Sequence, residues 1–323
     1  MSKSLSKTDI APEVAAGKSV GSLSNVNESA GRSTAGPAKP DTIQILLRSF
    51  SERHRVFTYQ LTKTRKRATG KAVHDLRVST RRLIAVVDII RTMIPGTDLS
   101  RTRKQLKRLL NALSELRDVQ VQIVTVRGLV REFPALNLFL TLLMVREKQS
   151  LRHAHAELHG FQLEQIDDGI AETEKRLQTV LADPLLRDAA RSIVIGKLAR
   201  TFSRAVQLKP AALSGKGNRI HRLRIAFKRF RYTVEVLEAI LQKVTPRMVK
   251  AMNAYQVRMG NIQDIDVLIA SIRDHAKRHP RADQVQFRKL IDNLMNRRRE
   301  LVFEFVSSVD ELNLFWKKLG KVE

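Results

Sequence analysis

The stretch VHDLRVSTRRL at 73–83 returns as IHRLRIAFKRF at 220–230, about 147 residues further on. His74, Arg77, Val78 and Arg81 are answered by His221, Arg224, Ile225 and Lys228. The neighbouring segments recur in the same order. LRDVQV at 116–121 faces IQDIDV at 262–267, Phe133-Pro134 faces His279-Pro280, and LLMVREK at 142–148 faces NLMNRRR at 293–299. Two halves of one chain must therefore reach the same local structure, which constrains the fold more than any figure of composition.

That structure is helical. From Thr42 onward apolar residues recur at three and four positions, with glycine and proline confined to the gaps. The spacing predicts helices over 42–61, 72–93, 98–131, 135–160 and 164–181, the second stopped by Pro95-Gly96 and the third before Pro134. In the second half it predicts 185–208, a loop over LKPAALSGKGNR, a helix over 219–243, and one opening at Pro246 that mirrors 98–131. The expected fold is all-α, with two similar antiparallel four-helix bundles, about 42–182 and about 183–323. Residues 1–41, rich in Ser, Ala, Gly and Pro, are expected to be a disordered tail with five basic and four acidic residues.

The charge then lies almost wholly in the helical part. A formal net charge of +27 exceeds what solubility needs and favours polyanionic partners: nucleic acid, an anionic membrane surface or inorganic polyphosphate. The absence of cysteine excludes disulfides and thiolate chemistry and fits a reducing compartment. The first residues lack the apolar core of a secretory signal, and no apolar run reaches membrane-spanning length, so a cytoplasmic location is expected.

Helical geometry places the cations in rows. At 3.6 residues per turn, His74, Arg77, Arg81 and Asp88 share one sector, with Leu76, Thr80, Leu83 and Val87 opposite. His221, Arg224, Lys228, Arg231 and Glu235 repeat the sector, backed by Leu223, Phe227, Phe230 and Val234. On the next helix Arg101, Lys104, Lys107 and Arg108 lie opposite Leu106, Leu109, Leu110 and Leu113. Its repeat keeps Arg247 and Lys250 but has Asn253 and Ala254 at the next two positions. Arg146 and Arg297 occupy matching places in the following pair. Few acids are interleaved at i+4, so salt bridges along the helices do not account for the rows. Cations stacked one turn apart repel, and their repetition in both halves points to an anion. Asp118 and Asp264 are expected to pair with arginines of neighbouring helices.

Other chemistry is poorly represented. His155 and His159 have metal-ligand spacing, yet no HExxH pattern accompanies them, so no metal and no cofactor is expected. There is no phosphate-binding GxxxxGK[ST] loop, no GxSxG elbow and no plausible triad. A nucleic-acid-binding helical protein is the first alternative, opposed by the scarcity of aromatics. A phosphohydrolase acting on polyphosphate is the second, opposed by the lack of an acidic metal cluster.

HDLRVSTRRL and HRLRIAFKRFRYTVEVLE, each H-x-x-R-[VI]-x-x-[RK]-[RK], together with LSELRDVQV and MGNIQDIDV, resemble the CHAD family, the conserved-histidine α-helical domain. The resemblance covers about 42–323. It implies two four-helix bundles related by a pseudo-twofold axis, basic faces lining a central channel or groove, and non-catalytic binding of inorganic polyphosphate at granules, with granule-associated proteins as further partners and nucleic acid a nonspecific competitor. The anion-binding positions it implies are His74, Arg77, Arg81 and Arg82, and His221, Arg224, Lys228 and Arg231. Two departures stand out: Gln120 where the second half has Asp266, and Ile84 where it has Arg231.

Overall fold

The computed structural model describes residues 41–95, 99–280 and 282–320. The tail expectation for 1–40 lies outside them. Asp41, counted with that tail, instead caps the first helix, its carboxylate accepting from the Ile43 and Gln44 amides at 2.8 and 3.2 Å.

The described residues are all helix and connection. In the first half α1 is Thr42–Lys66, α2 Gly70–Met93, α3 Leu99–Leu129, α4 Leu136–His159 and α5 Leu163–Ala182. In the second α6 is Pro184–Ala212, α7 Gly217–Val236, α8 Glu238–Leu241, α9 Pro246–Arg278, α10 Gln284–Ser307 and α11 Glu311–Leu319. Polar side chains set several starts: Thr69 accepts from the Ala72 amide, Asp183 precedes Pro184, and Thr245 precedes Pro246 and accepts from Met248.

Three elements differ from the sequence reading. α6 continues through Pro210 to Ala212, so the connection shrinks to 213–216. Pro210 stands in the last turn, where few carbonyls lose a partner, and buried Ala212 gives the extra turn an apolar anchor. The turn then closes at Gly215, whose φ of 69° suits a residue without Cβ. The helix expected over 219–243 breaks after Val236, resumes as α8 and ends at Gln242 with φ 57°. The second half also gains α11, which buries Leu312, Phe315 and Leu319 and stands in the chain order where α5 stands in the first.

One apolar core draws side chains from all eleven helices, so it does not stop at the chain midpoint. The stripes of α2 and α7 supply its centre: Leu76, Leu83, Val87, Leu223, Phe227, Phe230 and Val234 are all fully buried. Phe227 packs edge-on to Tyr255 and against Phe230 and Phe315. A second cluster joins the two hairpins, Ile123, Val126, Phe133 and Phe139 meeting Leu268, Ile272, Phe287 and Leu290. It ties the α3–α4 hairpin of one half to the α9–α10 hairpin of the other.

With its apolar face committed to the core, α2 must turn its basic row elsewhere, and so must α7. Phe227→Ala is expected to cost about 3–5 kcal/mol in urea unfolding, whereas Phe303→Ala, at a ring 74% exposed, should stay within about 0.5 kcal/mol.

Candidate anion-binding site

α2 and α7 pack against each other, and their basic rows meet near Asp118 of α3 and Asp264 of α9. Arg77 and Arg81 come from α2, Arg117 from α3, Arg224 and Lys228 from α7. Each feels the charges of several others. Arg77 is only 8% exposed. Arg224 lies on Gly260, whose missing side chain leaves room for the guanidinium: a Cβ there would stand 3.4 Å from Nε and Nη2. Among the described residues none of these five cations makes an ion pair within 4 Å. Arg77 Nη1, Arg224 Nε and His221 Nδ1 are buried without a hydrogen-bond partner among them.

The cost shows in the acid–base behaviour. Burial first, then Arg81, brings the Arg77 guanidinium down to about 10. Lys228 falls to about 6, driven by burial and then by Arg81, Arg224, Arg77 and Arg231. His74 is lowered by desolvation and then by Arg117, His221 by desolvation and then by Arg224 and Lys228.

Asp118 and Asp264 approach this cluster from α3 and α9. The expected pairs with arginine do not form: among the described residues neither carboxylate lies within ion-pair distance of a cation. Instead each is held above the usual carboxylate range, because desolvation outweighs Arg77 and Arg224, and Asp118 further raises Asp264. The two acids temper the cluster without neutralising it.

At the edge of the site the halves differ. Glu235 of α7 receives Arg82 of α2 at 3.1 Å and Arg231 at 3.5 Å, while Arg53 of α1 donates to its backbone carbonyl at 2.9 Å. Arg231 is also held by Asn253 at 2.9 Å. In the first half the counterparts of Arg231 and Asn253 are Ile84 and Lys107, so the cation has moved from the inner helix to α3. Asp266, the counterpart of Gln120, is clamped by Arg298, which also donates to the Gly215 carbonyl at 3.0 Å. It fills the space where Gly217 has no side chain. Asp266 thus secures the start of α7.

A model of the CHAD domain family matches residues 48–273. The chain belongs to the CHAD family. No curated protein matches it in sequence. The crystal structure of the CHAD domain from the plant Ricinus communis is similar with a TM-score of 0.53 at 16% identity, over 90% of this chain and 96% of that one. At that identity the likeness carries the fold.

Within this CHAD fold the sequence-derived cations separate into groups. His74, Arg77, Arg81, His221, Arg224 and Lys228 converge, with Arg82 and Arg231 beside them at Glu235. Lys104, Lys107 and Arg108 instead line a shallow cavity of about 490 Å³ with Glu115, His153 and Glu157. Arg108 is engaged there by Glu157 at 2.8 Å, and Arg146 approaches Glu115 at 4.0 Å. Arg297 pairs with Glu300 at 2.7 Å. Arg101 and Lys250 are exposed on their helices. The sequence reading did not select Arg53 or Arg117. Arg117 adjoins Asp118 in a repeated segment, and that adjacency was the available signal. His155 and His159 stack 4.1 Å apart on α4, and among the described residues no group of three or more His, Cys, Asp or Glu is gathered for a metal ion.

Lys228 gives a stability test with a definite sign. Its folded value of about 6 lies below the ordinary 10.5. The unfolded chain therefore holds the extra proton between those values. The penalty is complete below about pH 6 and disappears as pH rises towards 10.5. Lys228→Met is expected to stabilise the protein by about 1–4 kcal/mol near neutral pH, with the gain shrinking in thermal unfolding runs at rising pH. An unchanged or lower Tm at neutral pH contradicts the burial of an unpaired lysine at this position.

Proposed function

We propose that this CHAD-family chain binds inorganic polyphosphate, without catalysis, along the basic faces of α2 and α7. The observation that carries the reading is the convergence of Arg77, Arg81, Arg117, Arg224 and Lys228 from both halves with no ion pair among the described residues. A phosphate chain supplies what this cluster lacks, one negative charge per unit and oxygens on every side. Arginine meets those oxygens through a two-pronged fork, and lysine adds a compact charge. His74 and His221, at the margin, donate to phosphate or take up a proton as the anion restores their basicity.

The distribution of aromatic rings favours phosphate over bases. Tyr59 on α1 and Phe303 on α10 are the strongly exposed large aromatics among the described residues. α2, α3, α7 and α9 offer no exposed ring beside the cations, so nucleobases have no stacking surface there. The reading extends to a cytoplasmic protein held at polyphosphate granules by this ligand, with granule proteins as neighbours. No described helix is long and apolar enough to cross a membrane.

Affinity for long-chain polyphosphate and for single-stranded DNA, at equal charge and near-physiological salt, tests the reading. Polyphosphate should bind more tightly, with a steep loss as salt rises. The variant carrying His74→Ala, Arg77→Ala, His221→Ala and Arg224→Ala should lose on the order of a hundredfold while keeping its helix content. Equal binding of both polymers, or an unaffected variant, contradicts it.

A further inference from the structure

Asp88 on α2 and Glu235 on α7 occupy equivalent places in the two halves, but their surroundings are loaded differently. The cations at Glu235 are all engaged: Arg82 and Arg231 with its carboxylate, Arg53 with its carbonyl. At Asp88 the carboxylate is also fully used. Arg103 takes both oxygens, and Arg91 stands 3.8 Å away while donating to Ser100 at 2.9 Å. Beyond these, Lys107 of α3 and Lys197 of α6 also feel Asp88, with Arg229 of α7 beside Lys107 and Arg200 of α6 beside Lys197. None of the four has an ion pair or side-chain hydrogen bond among the described residues.

Lys107, Arg200 and Arg229 are exposed, as on a solvated basic surface, but Lys197 among them is not. Lys197 is half-buried, where an unpaired ammonium is costly. Arg200 lies along its own helix, its Nη1 3.6 Å from the Cβ position of Gly196, and its charge acts on Lys197. The cations also depress one another. Lys107 is lowered by burial and then by Arg103, with Arg229 and Arg91 contributing. Lys197 is lowered by burial, with Arg200, Arg103 and Arg91 opposing the pull of Asp88. Arg229 follows Lys228 of the central cluster on α7, so the same helix carries cations to both places.

We propose that Lys107, Lys197, Arg200 and Arg229 form a second anion subsite, on the α3–α6–α7 flank, which takes phosphate groups of an extended chain whose other units occupy the central cluster. The inference rests on the polyphosphate reading and adds a direction to it. The ligand leaves the α2–α7 crossing on the side of α6, not on the side of α1, where the cations are already engaged. Long chains reach both subsites, whereas a compact phosphate oligomer fills one.

The test compares tripolyphosphate with long-chain polyphosphate on three variants of the full chain. Lys197→Gln with Arg200→Gln should weaken long-chain binding by about tenfold and leave tripolyphosphate binding unchanged. Arg77→Ala with Arg224→Ala should weaken both. Lys317→Gln with Lys318→Gln, which removes the same charge from exposed positions on α11, should change either by less than about twofold. Circular dichroism and Tm establish that each variant is folded. Long-chain binding by the flank variant equal to that of the unaltered protein, or a loss matched by the α11 variant, overturns the subsite and leaves the polyphosphate reading intact. Failure of the unaltered protein to bind either polymer overturns both.

Discussion

Mutual repulsion among cations at the crossing of α2 and α7 is the constraint around which the rest of the molecule is arranged. Two unit charges about 8 Å apart repel by about 2 kcal/mol at an effective dielectric of about 20, and here Arg77, Arg81 and Arg224 each act on Lys228. Burying a leucine or phenylalanine contributes about 1.5–3 kcal/mol. The fully buried stripes of α2 and α7 oppose the repulsion and fix the two helices that carry the basic rows. The hairpin contact between α3–α4 and α9–α10 does the same for Asp118 and Asp264. The fold thus keeps in place a charge distribution that its own residues leave uncompensated.

The repeat is not two copies of one half-site. Where α7 has Arg231 held by Asn253, the first half has Ile84 and Lys107, so a cation is kept while its helix changes. Glu235 is ringed by engaged arginines, whereas near Asp88 lie Lys107, Lys197 and their neighbours Arg229 and Arg200, which have no ion pair among the described residues. A site built from such halves has a polarity, although its chain order repeats. That polarity matters for an extended ligand and would be invisible to a single phosphate.

The helices and the apolar faces of α2 and α7 were legible because they follow from local periodicity. His74, Arg77, Arg81 and their counterparts were legible because a repeated polar row opposite a buried stripe needs a partner. Arg53, Lys197 and Arg200 were not, since their place beside the site depends on how α1 and α6 pack on the inner helices. The course of α6 through Pro210 was hidden because the cost of a proline depends on its position in the turn. Asp118 and Asp264 were recognised as belonging with the arginines, but their distance is set by backbone packing and not by residue type. Chain order alone also gave no sign that the core would run unbroken across the midpoint.

The most direct test of the uncompensated cluster is proton uptake on ligand binding. Lys228, at about 6 in the free protein, is largely neutral at pH of about 7.5, and a phosphate chain beside it favours the charged form. Calorimetric titration with long-chain polyphosphate at that pH, in two buffers of different ionisation enthalpy, should give different heats whose difference corresponds to protons taken up. Most of the difference should vanish in Lys228→Met. Identical heats in the two buffers, with polyphosphate bound, would contradict the claim that an anion completes this cluster.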